Sequence, residues 1–357
     1  ELGTVSNLVT FNRLGVLPTA GFQRTTFAHA ERFDPQRLRK QFEHVRTSCA
    51  ACTIGCEHIF RPKRDMSNGA RLEYENLFAL GPLCGVDDPE TVIRASQLCD
   101  HFGLDTISTG VTIAFAMECA QRGWWDAFPV RFGDAAGVLE LIPAIARREG
   151  VGALLAEGTR RLARRIGPQA ERWAPHVKGL ELPGYDPRAL QSLALGFAVA
   201  ARGADHNRSG AYQADFSAEV DRFHADERSV RRAIETEDEA ALMDSLILCK
   251  FIRHALQDRW TDFAAMLAAV TGWDVTAAEL RTTARRIVDT KKRYNVWLGW
   301  TPAEDRLPER FHCEPVPDGP AAGAVIDRER FAELLRCYYR LRGWSEDGYP
   351  PERPAGG

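Results

Sequence analysis

The sequence predicts a mainly α-helical protein built from two multihelical domains, residues 1–178 and 179–357. Two observations favour this fold class: apolar residues recur at helical spacing through most of the chain, and alternating strand patterns are scarce. The number of domains follows from length, because 357 residues exceed the usual size of a single hydrophobic core. A segment rich in proline and glycine, residues 173–188, marks the predicted crossover between the domains.

The first predicted domain opens with an irregular segment and a short helix at 34–45. The cysteine-rich stretch follows, and then a polar, basic loop at 57–71. An acidic cap followed by proline, Asp88-Pro89, predicts the start of a helix that ends at Gly103. The remaining helices of this domain carry apolar stripes that end at glycine or polar residues, and they span 106–121, 137–148 and 151–166.

The second predicted domain is a further series of helices, each with an apolar stripe between polar or glycine-rich breaks. They span 189–201, 217–224, 229–235, 239–256, 260–271, 277–297 and 328–342, with residues 302–325 extended or looped.

Composition limits the classes of partner. The chain has 46 Lys and Arg against 49 Asp and Glu, so it lacks the positive excess expected for nucleic acid or an acidic membrane. No apolar run of about 18 residues predicts a transmembrane helix. Nine cysteines form an odd set, which favours the reducing cytoplasm over a secreted disulfide framework. The start at Glu1, with no charged and then apolar leader, favours a fragment or a processed portion.

Three cysteines lie close together with the spacing CxxCxxxC: Cys49, Cys52 and Cys56. Thiolates this close repel one another unless a metal or an iron-sulfur cluster binds them. Zinc and 4Fe-4S sites both need four ligands, and the lack of a second local cysteine pair favours a cluster over zinc or over core cysteines without ligands. A fourth ligand must come from elsewhere, and Cys99 and Cys119 are expected in the core because they lie on apolar helix faces.

Two related acidic blocks occur further along the chain. The first is Asp100-His101-Phe102-Gly103-Leu104-Asp105, and the second is Asp244-Ser245-Leu246-Ile247-Leu248-Cys249. A charged aspartate in apolar surroundings is costly without a partner. The aspartates of the first block therefore either cap helix ends or hold the amino-imino edge of a buried heterocycle. The second block makes Cys249 the distinctive candidate for the fourth ligand.

With CxxCxxxC, DxxGLD and DSLILC in this order, the chain resembles the aldehyde ferredoxin oxidoreductase family of tungsten enzymes. The family pairs CxxCxxxC with DxxGLD and DxxGLC blocks, and Ile247 replaces the glycine of the last block here. The similarity also covers residues 72–77, 178–188, 202–206 and 342–344, and so spans nearly the whole chain. Nothing corresponds to the family's additional β-rich N-terminal domain, so we expect a fragment or a chain that needs a companion.

The resemblance implies two redox groups. A 4Fe-4S cluster would be ligated by Cys49, Cys52, Cys56 and Cys249. A tungsten (or molybdenum) bis-pyranopterin would lie beside it, in contact with Asp100, Leu104, Asp105, Thr106 and Asp244.

The resemblance also implies that two side chains line the substrate cavity: Glu75 in the Glu-Tyr-Glu stretch and His206 after Arg-Gly-Ala-Asp. A carboxylate can take a proton from the water or hydrate that attacks an aldehyde carbon, and an imidazole can polarise or protonate the carbonyl oxygen. Without the resemblance, Glu75 would be read as part of a solvated helix face and His206 as a surface histidine. The apolar run at 77–83 favours a buried setting for Glu75.

The implied reaction is the oxidation of an aldehyde to its carboxylate, with electrons passing through the pterin and the cluster to ferredoxin. Two alternatives stay open. One is a low-potential reductase subunit of the same superfamily that acts on aromatic or carboxylic substrates, and the other is an electron-transfer module that keeps only the cluster. Retention of Asp100, Asp105 and Asp244 favours an enzyme, because a cluster alone would not need all three.

Overall fold

The computed structural model describes residues 3–63 and 69–352, and α-helices dominate it, which confirms the predicted fold class. The helices of the first half are α1 (Asn7–Leu14), α2 (Pro35–Gln41), α3 (Tyr74–Leu80), α4 (Pro89–Phe102), α5 (Thr106–Gln121), α6 (Ala135–Arg147), α7 (Gly152–Leu155), α8 (Thr159–Ile166) and α9 (Pro168–Trp173). The strands are β1 (Phe42–Thr47), β2 (Glu57–Pro62), β3 (Ala70–Arg71), β4 (His176–Val177) and β5 (Leu180–Glu181). The helices of the second half are α10 (Gln191–Val199), α11 (His206–Ser209), α12 (Tyr212–Asp215), α13 (Glu227–Ser245), α14 (Arg259–Thr271), α15 (Ala277–Trp297), α16 (Arg310–Cys313) and α17 (Arg328–Arg342).

These elements form two compact units. Unit 1 comprises Glu1–Ala189 and Pro308–Val325, and unit 2 comprises Leu190–Leu307 and Ile326–Gly357. Compactness does not by itself define an independently folding domain, so the domains 1–178 and 179–357 remain a prediction. Within the described residues, no helix is both long enough and apolar enough to cross a lipid bilayer.

Unit 1 contains a small antiparallel sheet that the sequence did not predict. β1 pairs with β2 from Phe42 opposite Pro62 to Thr47 opposite Glu57, and β3 adds to the other edge of β2. The predicted helix at 34–45 is therefore wrong after Gln41, and the predicted loop at 57–71 is wrong over β2 and β3. Residues 64–68 of that loop lie outside the described residues. Half of the β1 residues are exposed and only Phe42 is buried, so this strand lacks the alternation that would reveal it.

The core of unit 1 brings α3 and α5 very close together. A Cβ atom on Gly110 would lie 2.3 Å from the carbonyl oxygen of Ala79, so only glycine allows this approach. The later segment of unit 1 is anchored to α5 because Arg310 forms a two-point ion pair with Glu118, with N–O distances of 2.6 and 3.0 Å. The single helix predicted for 151–166 is two, since Gly158 (φ +77°) separates α7 from α8.

The core of unit 2 lies where α13, α14 and α15 pack, around the side chains of Leu242, Met243, Phe263, Leu280 and Ala284. The structure closely matches the predictions for α14, α15 and α17. The two helices predicted at 229–235 and 239–256 are one helix, α13, and it ends at Ser245. The helix predicted at 217–224 is a series of turns.

Candidate functional site

The three clustered cysteines occupy the tip of a β-hairpin. β1 and β2 pair up to Thr47 and Glu57, so the cysteine loop, residues 48–56, is the connection between them. Cys49 is exposed, while Cys52 and Cys56 are partly buried. The amide of Cys52 donates to the carbonyl of Cys49 (3.0 Å), and the amide of Ile54 donates to the Cys52 Sγ (3.4 Å). The hairpin thus presents its thiols at an accessible edge of unit 1.

Arg46, at the end of β1, holds this tip from one side. Its Nε donates to the carbonyl oxygen of Gly55 at 2.6 Å, and its guanidinium also donates to the carbonyl of Ile54. Gly55 has φ +56°, and a Cβ there would lie 2.9 Å from the Arg46 Nε. One guanidinium therefore fixes the backbone immediately before Cys56. The sequence did not single out Arg46, and only its position opposite the loop reveals this contact.

Thiol chemistry separates the nine cysteines into two groups. Burial raises the pKa of Cys84, Cys99 and Cys119 to about 12, so these thiols stay protonated and suit the core rather than a metal. The expectation that Cys99 and Cys119 are core residues is thereby confirmed. The four cysteines proposed as ligands are exposed or partly buried. Their accessibility fits a soft-metal or cluster donor set.

Within the described residues, these thiols do not form a complete metal-binding site. Across residues 3–63 and 69–352, no group of three or more His, Cys, Asp or Glu side chains is arranged to hold a metal ion. Cys249 belongs to unit 2, where it immediately precedes the 3₁₀ turn Lys250–His254. The ligand assignment of the four cysteines remains a prediction.

The DxxGLD block forms a specific turn between α4 and α5. Gly103 adopts the left-handed conformation (φ +67°), and its amide donates to the Asp100 carbonyl at 3.3 Å. The next amide, that of Leu104, donates to the Cys99 carbonyl at 2.9 Å, which completes a Schellman motif. Asp105 then caps α5, because its carboxylate accepts the amide of Ser108 at 2.7 Å.

The DSLILC block folds into the same turn at the end of α13. Ile247 is left-handed (φ +58°), its amide donates to the Asp244 carbonyl (3.2 Å), and the amide of Leu248 donates to the Met243 carbonyl (2.8 Å). Cys249 has φ −66° and ψ 135°, close to the −67° and 125° of Asp105 in the first block. Ile247 therefore adopts the left-handed backbone of Gly103 in the first block, at the cost of strain. The same Schellman turn therefore occurs once in each unit.

The aspartates of the two blocks differ in their surroundings. Asp244 pairs with Arg208 at 2.5 Å and with Lys250 at 3.0 Å. Asp100 and Asp105 are exposed, whereas Leu104 and Thr106 are partly buried. The capping role that the sequence allowed for Asp105 is present in the structure.

Unit 1 brings the first aspartate block near the cysteine loop and the Glu-Tyr-Glu stretch. Arg71 pairs with Glu57, the residue after Cys56, at 2.7 Å. The pKa of Arg71 is raised, chiefly by this hydrogen bond and further by the charges of Glu73 and Asp100. The three motifs that the sequence linked only by resemblance therefore lie in one electrostatic neighbourhood.

Glu75 lies in the first turn of α3, and its carboxylate is anchored. Its Oε2 accepts the amide of Gly184 at 2.9 Å, and the hydroxyl of the preceding Tyr74 donates to the carbonyl of the same glycine. Glu75 is partly buried, and the apolar residues that follow it are buried, so it does not lie on a solvated helix face. Nearby, burial raises the pKa of Glu73, whose carboxylate accepts the Thr4 hydroxyl.

His206 begins α11 directly after the cap residue Asp205 and is partly buried. Burial lowers the pKa of His206 to about 4, with a smaller contribution from Arg253 and an opposing one from Asp205. The imidazole is therefore neutral at pH 7. A neutral imidazole can donate one N–H hydrogen bond to a carbonyl oxygen. It lacks the second ring proton that an imidazolium would transfer as an acid.

The helical fold, the thiol-bearing hairpin and the repeated aspartate turn agree with the family resemblance of the sequence. The family described as aldehyde ferredoxin oxidoreductase, domains 2 and 3, matches residues 1–354. The chain belongs to this family.

Individual relatives agree with the family assignment. The tungsten-containing aldehyde ferredoxin oxidoreductase of Thermococcus kodakarensis is 35% identical over 366 residues, which cover 99% of this chain and 59% of the relative. The enzyme of the same name from Pyrococcus furiosus is 35% identical, with 99% and 58% covered. An aliphatic sulfonate oxidoreductase, WOR-like subunit, of Pyrococcus furiosus is 30% identical, with 84% and 48% covered. The chain thus spans about three fifths of the length of its first two relatives.

A solved structure shares the fold. The active site complex BamBC of benzoyl coenzyme A reductase, in complex with 1,5-dienoyl-CoA, superposes with a TM-score of 0.72 at 18% identity. The match covers 95% of this chain and 56% of that chain. At this identity the likeness concerns the fold alone.

Proposed function

We propose that this chain is part of an oxidoreductase that oxidises aldehydes to carboxylic acids at a tungsten-pterin centre, with electrons leaving through a 4Fe-4S cluster to ferredoxin. The observation that carries the proposal is the repeated turn at residues 100–105 and 244–249. It places Asp100 and Asp105 in unit 1, and Asp244 and Cys249 in unit 2, in the same local backbone geometry. Family membership and the names of the relatives support it. When bound, the metal-pterin would supply the two-electron chemistry and the cluster the one-electron exit.

The protein's part in this function begins with the thiols. We propose that Cys49, Cys52 and Cys56 of the hairpin tip and Cys249 of the second turn ligate the cluster. Arg46 orders the tip through the carbonyls of Ile54 and Gly55.

The aspartates and their neighbours form the second proposed group. Asp100, Asp105 and Asp244, with Leu104 and Thr106, would contact the pterin cofactor. Asp244 pairs with Arg208 and Lys250, and its carboxylate oxygens can accept hydrogen bonds from an amino-imino edge.

Glu75 and His206 are the proposed catalytic residues. Glu75 is held by the Gly184 amide, so its carboxylate has a fixed direction from which to take a proton from attacking water. The neutral His206 would donate an N–H to the carbonyl oxygen and orient the aldehyde. Each side chain thus has one role, proton removal or polarisation, set by its own surroundings.

The decisive experiment is metal analysis and turnover of the full natural polypeptide from an anaerobic, tungstate-fed host. We expect about four iron and one tungsten per chain and reduction of ferredoxin that depends on benzaldehyde. Iron without tungsten would instead identify a module that carries only a cluster. Both metals, without aldehyde oxidation but with reduction of an aromatic or carboxylic substrate, would identify a low-potential reductase subunit. Copurification under the same conditions tests for a companion chain, and cell fractionation tests the predicted cytoplasmic location.

The ligand assignment can be tested with a matched pair of variants. Cys249→Ser should lose the cluster signal in electron paramagnetic resonance, whereas Cys313→Ser, which changes another exposed cysteine, should keep it. A full cluster signal in Cys249→Ser would refute the assignment.

The catalytic assignment has a similar internal control. Glu75→Gln should abolish aldehyde oxidation with metal content unchanged, because an amide cannot take the proton. Glu73→Gln, two residues away, should retain most of the activity. Unchanged activity in Glu75→Gln would rule out its role as the base.

A further inference from the structure

Unit 2 contains a partly open cavity of about 130 Å³ beside the segment that carries His206. Its walls are mostly apolar and include Val199, Ala241, Val288 and Trp344. A dry apolar cavity of about 150 Å³ is large enough to take benzene. The volume therefore suits a single aromatic ring or a short branched aliphatic group.

Charged residues that also line this cavity mostly have partners. Arg202 pairs with Asp205 at 3.1 Å, and Arg208 pairs with Asp244 at 2.5 Å. Glu237 pairs with Arg342 at 2.6 Å and accepts the Tyr338 hydroxyl at 2.5 Å, and Arg342 also pairs with Asp238 at 2.5 Å. Lys292, the second lysine of the lining, pairs with Asp305 at 2.9 Å. These pairs leave little net charge of their own.

Lys291 is the exception. It is partly buried on α15 and lines the cavity, and among residues 3–63 and 69–352 its ammonium group forms no hydrogen bond or ion pair. Burial, and then the charge of Arg208, lowers the pKa of Lys291, while Asp244, Glu237 and Asp205 act in the opposite direction. A partly desolvated ammonium without a partner is unfavourable, and an anion in the cavity would relieve it.

We propose that this cavity binds a small monocarboxylate whose body is one aromatic ring or a short branched chain, with its carboxylate on Lys291 and its body against Val288 and Trp344. A monoanion fits better than a dianion because Lys291 is one cation, and the other charged residues of the lining have partners. Such an acid is also the class of product that aldehyde oxidation releases. That link rests on the proposed function, whereas binding itself does not.

Calorimetric titration of the full chain tests the site with four probes of different chemistry. Benzoate should bind about tenfold or more tightly than benzamide, its neutral isostere, because the ion pair carries much of the affinity. Benzoate should also bind more tightly than acetate, which lacks the apolar body, and more tightly than inorganic phosphate. Equal binding of benzamide, or stronger binding of phosphate, would overturn the proposal, and the latter would indicate a phosphate site.

Three variants locate the binding. Lys291→Met should weaken the binding of benzoate about tenfold or more. It should not lower thermal stability, because it removes a cation that has no partner among the described residues. Arg286→Met, an exposed change on the same helix, should bind as the unaltered chain does. Ala241→Leu, which fills the cavity, should weaken the binding of benzoate more than the binding of acetate. Unchanged benzoate affinity in Lys291→Met would refute the site.

The proposed function and the proposed anion site can be refuted independently of each other. Benzoate binding by a metal-loaded chain that does not oxidise aldehydes would overturn the proposed function and leave the anion site intact. Aldehyde oxidation without measurable benzoate binding would overturn the anion site alone.

Discussion

Ile247 offers a quantitative test of the repeated turn, because glycine should be the better residue there. A left-handed conformation costs a residue other than glycine about 1–2 kcal/mol, and a β-branched side chain suits it least. The Ile247 side chain is 92% exposed, so almost no apolar burial is lost on its removal. Glycine costs about 0.5–1 kcal/mol in unfolded-state entropy. Ile247→Gly should therefore raise the free energy of unfolding by about 0.5–1 kcal/mol, or the melting temperature by about 1–3 °C.

The reciprocal exchange at the equivalent position is the control. Gly103 is also left-handed, and no atom lies within 4 Å of a Cβ placed there, so Gly103→Ile tests backbone strain without a clash. It should lower the free energy of unfolding by about 0.5–1 kcal/mol, because the strain exceeds the entropy gained on losing glycine. Denaturant unfolding gives both values, and hydrogen exchange of the Leu248 amide reports the turn locally. If both exchanges change stability in the same direction, backbone strain is not what distinguishes the two turns.

Three further predictions follow from single contacts. Arg46→Gln should lower iron retention after reconstitution, because the carbonyls of Ile54 and Gly55 lose their donor, and iron assay against the parent checks this. Because the pKa of His206 is lowered to about 4 from 6.5, the folded state binds fewer protons than the unfolded state. Stability from this group is thus present above pH 6.5 and is lost as pH falls towards 4, and His206→Gln should flatten that slope in unfolding curves. In metal-free protein under native conditions, iodoacetamide with mass spectrometry should label Cys49, Cys249 and Cys313 and spare Cys84, Cys99 and Cys119, and equal labelling of both sets would contradict the assigned burial.

Local signals predicted much of the helical structure. α4 begins at an acidic cap with proline and ends at Gly103, as expected, and α15 has the predicted bounds. Such signals succeed because capping and helical periodicity depend on residues a few positions apart. α13 shows the limit of this reasoning. The run from Leu246 to Leu248 reads as a continuing apolar helix, yet the chain turns at Ile247, and Leu246 and Leu248 pack against the unit 2 core instead.

The sequence by itself determined the mainly α-helical class, the motifs CxxCxxxC, DxxGLD and DSLILC, and the family that they indicate. Only the tertiary structure decided that the cysteines lie at a hairpin tip held by Arg46 and that both aspartate blocks are the same Schellman turn. It also decided that Lys291 lines an apolar cavity and has no partner within the part of the chain that the structure describes. The physical reason is separation along the chain. Strand pairing, ion pairs and cavities join residues that are distant in sequence, and no local pattern encodes those contacts.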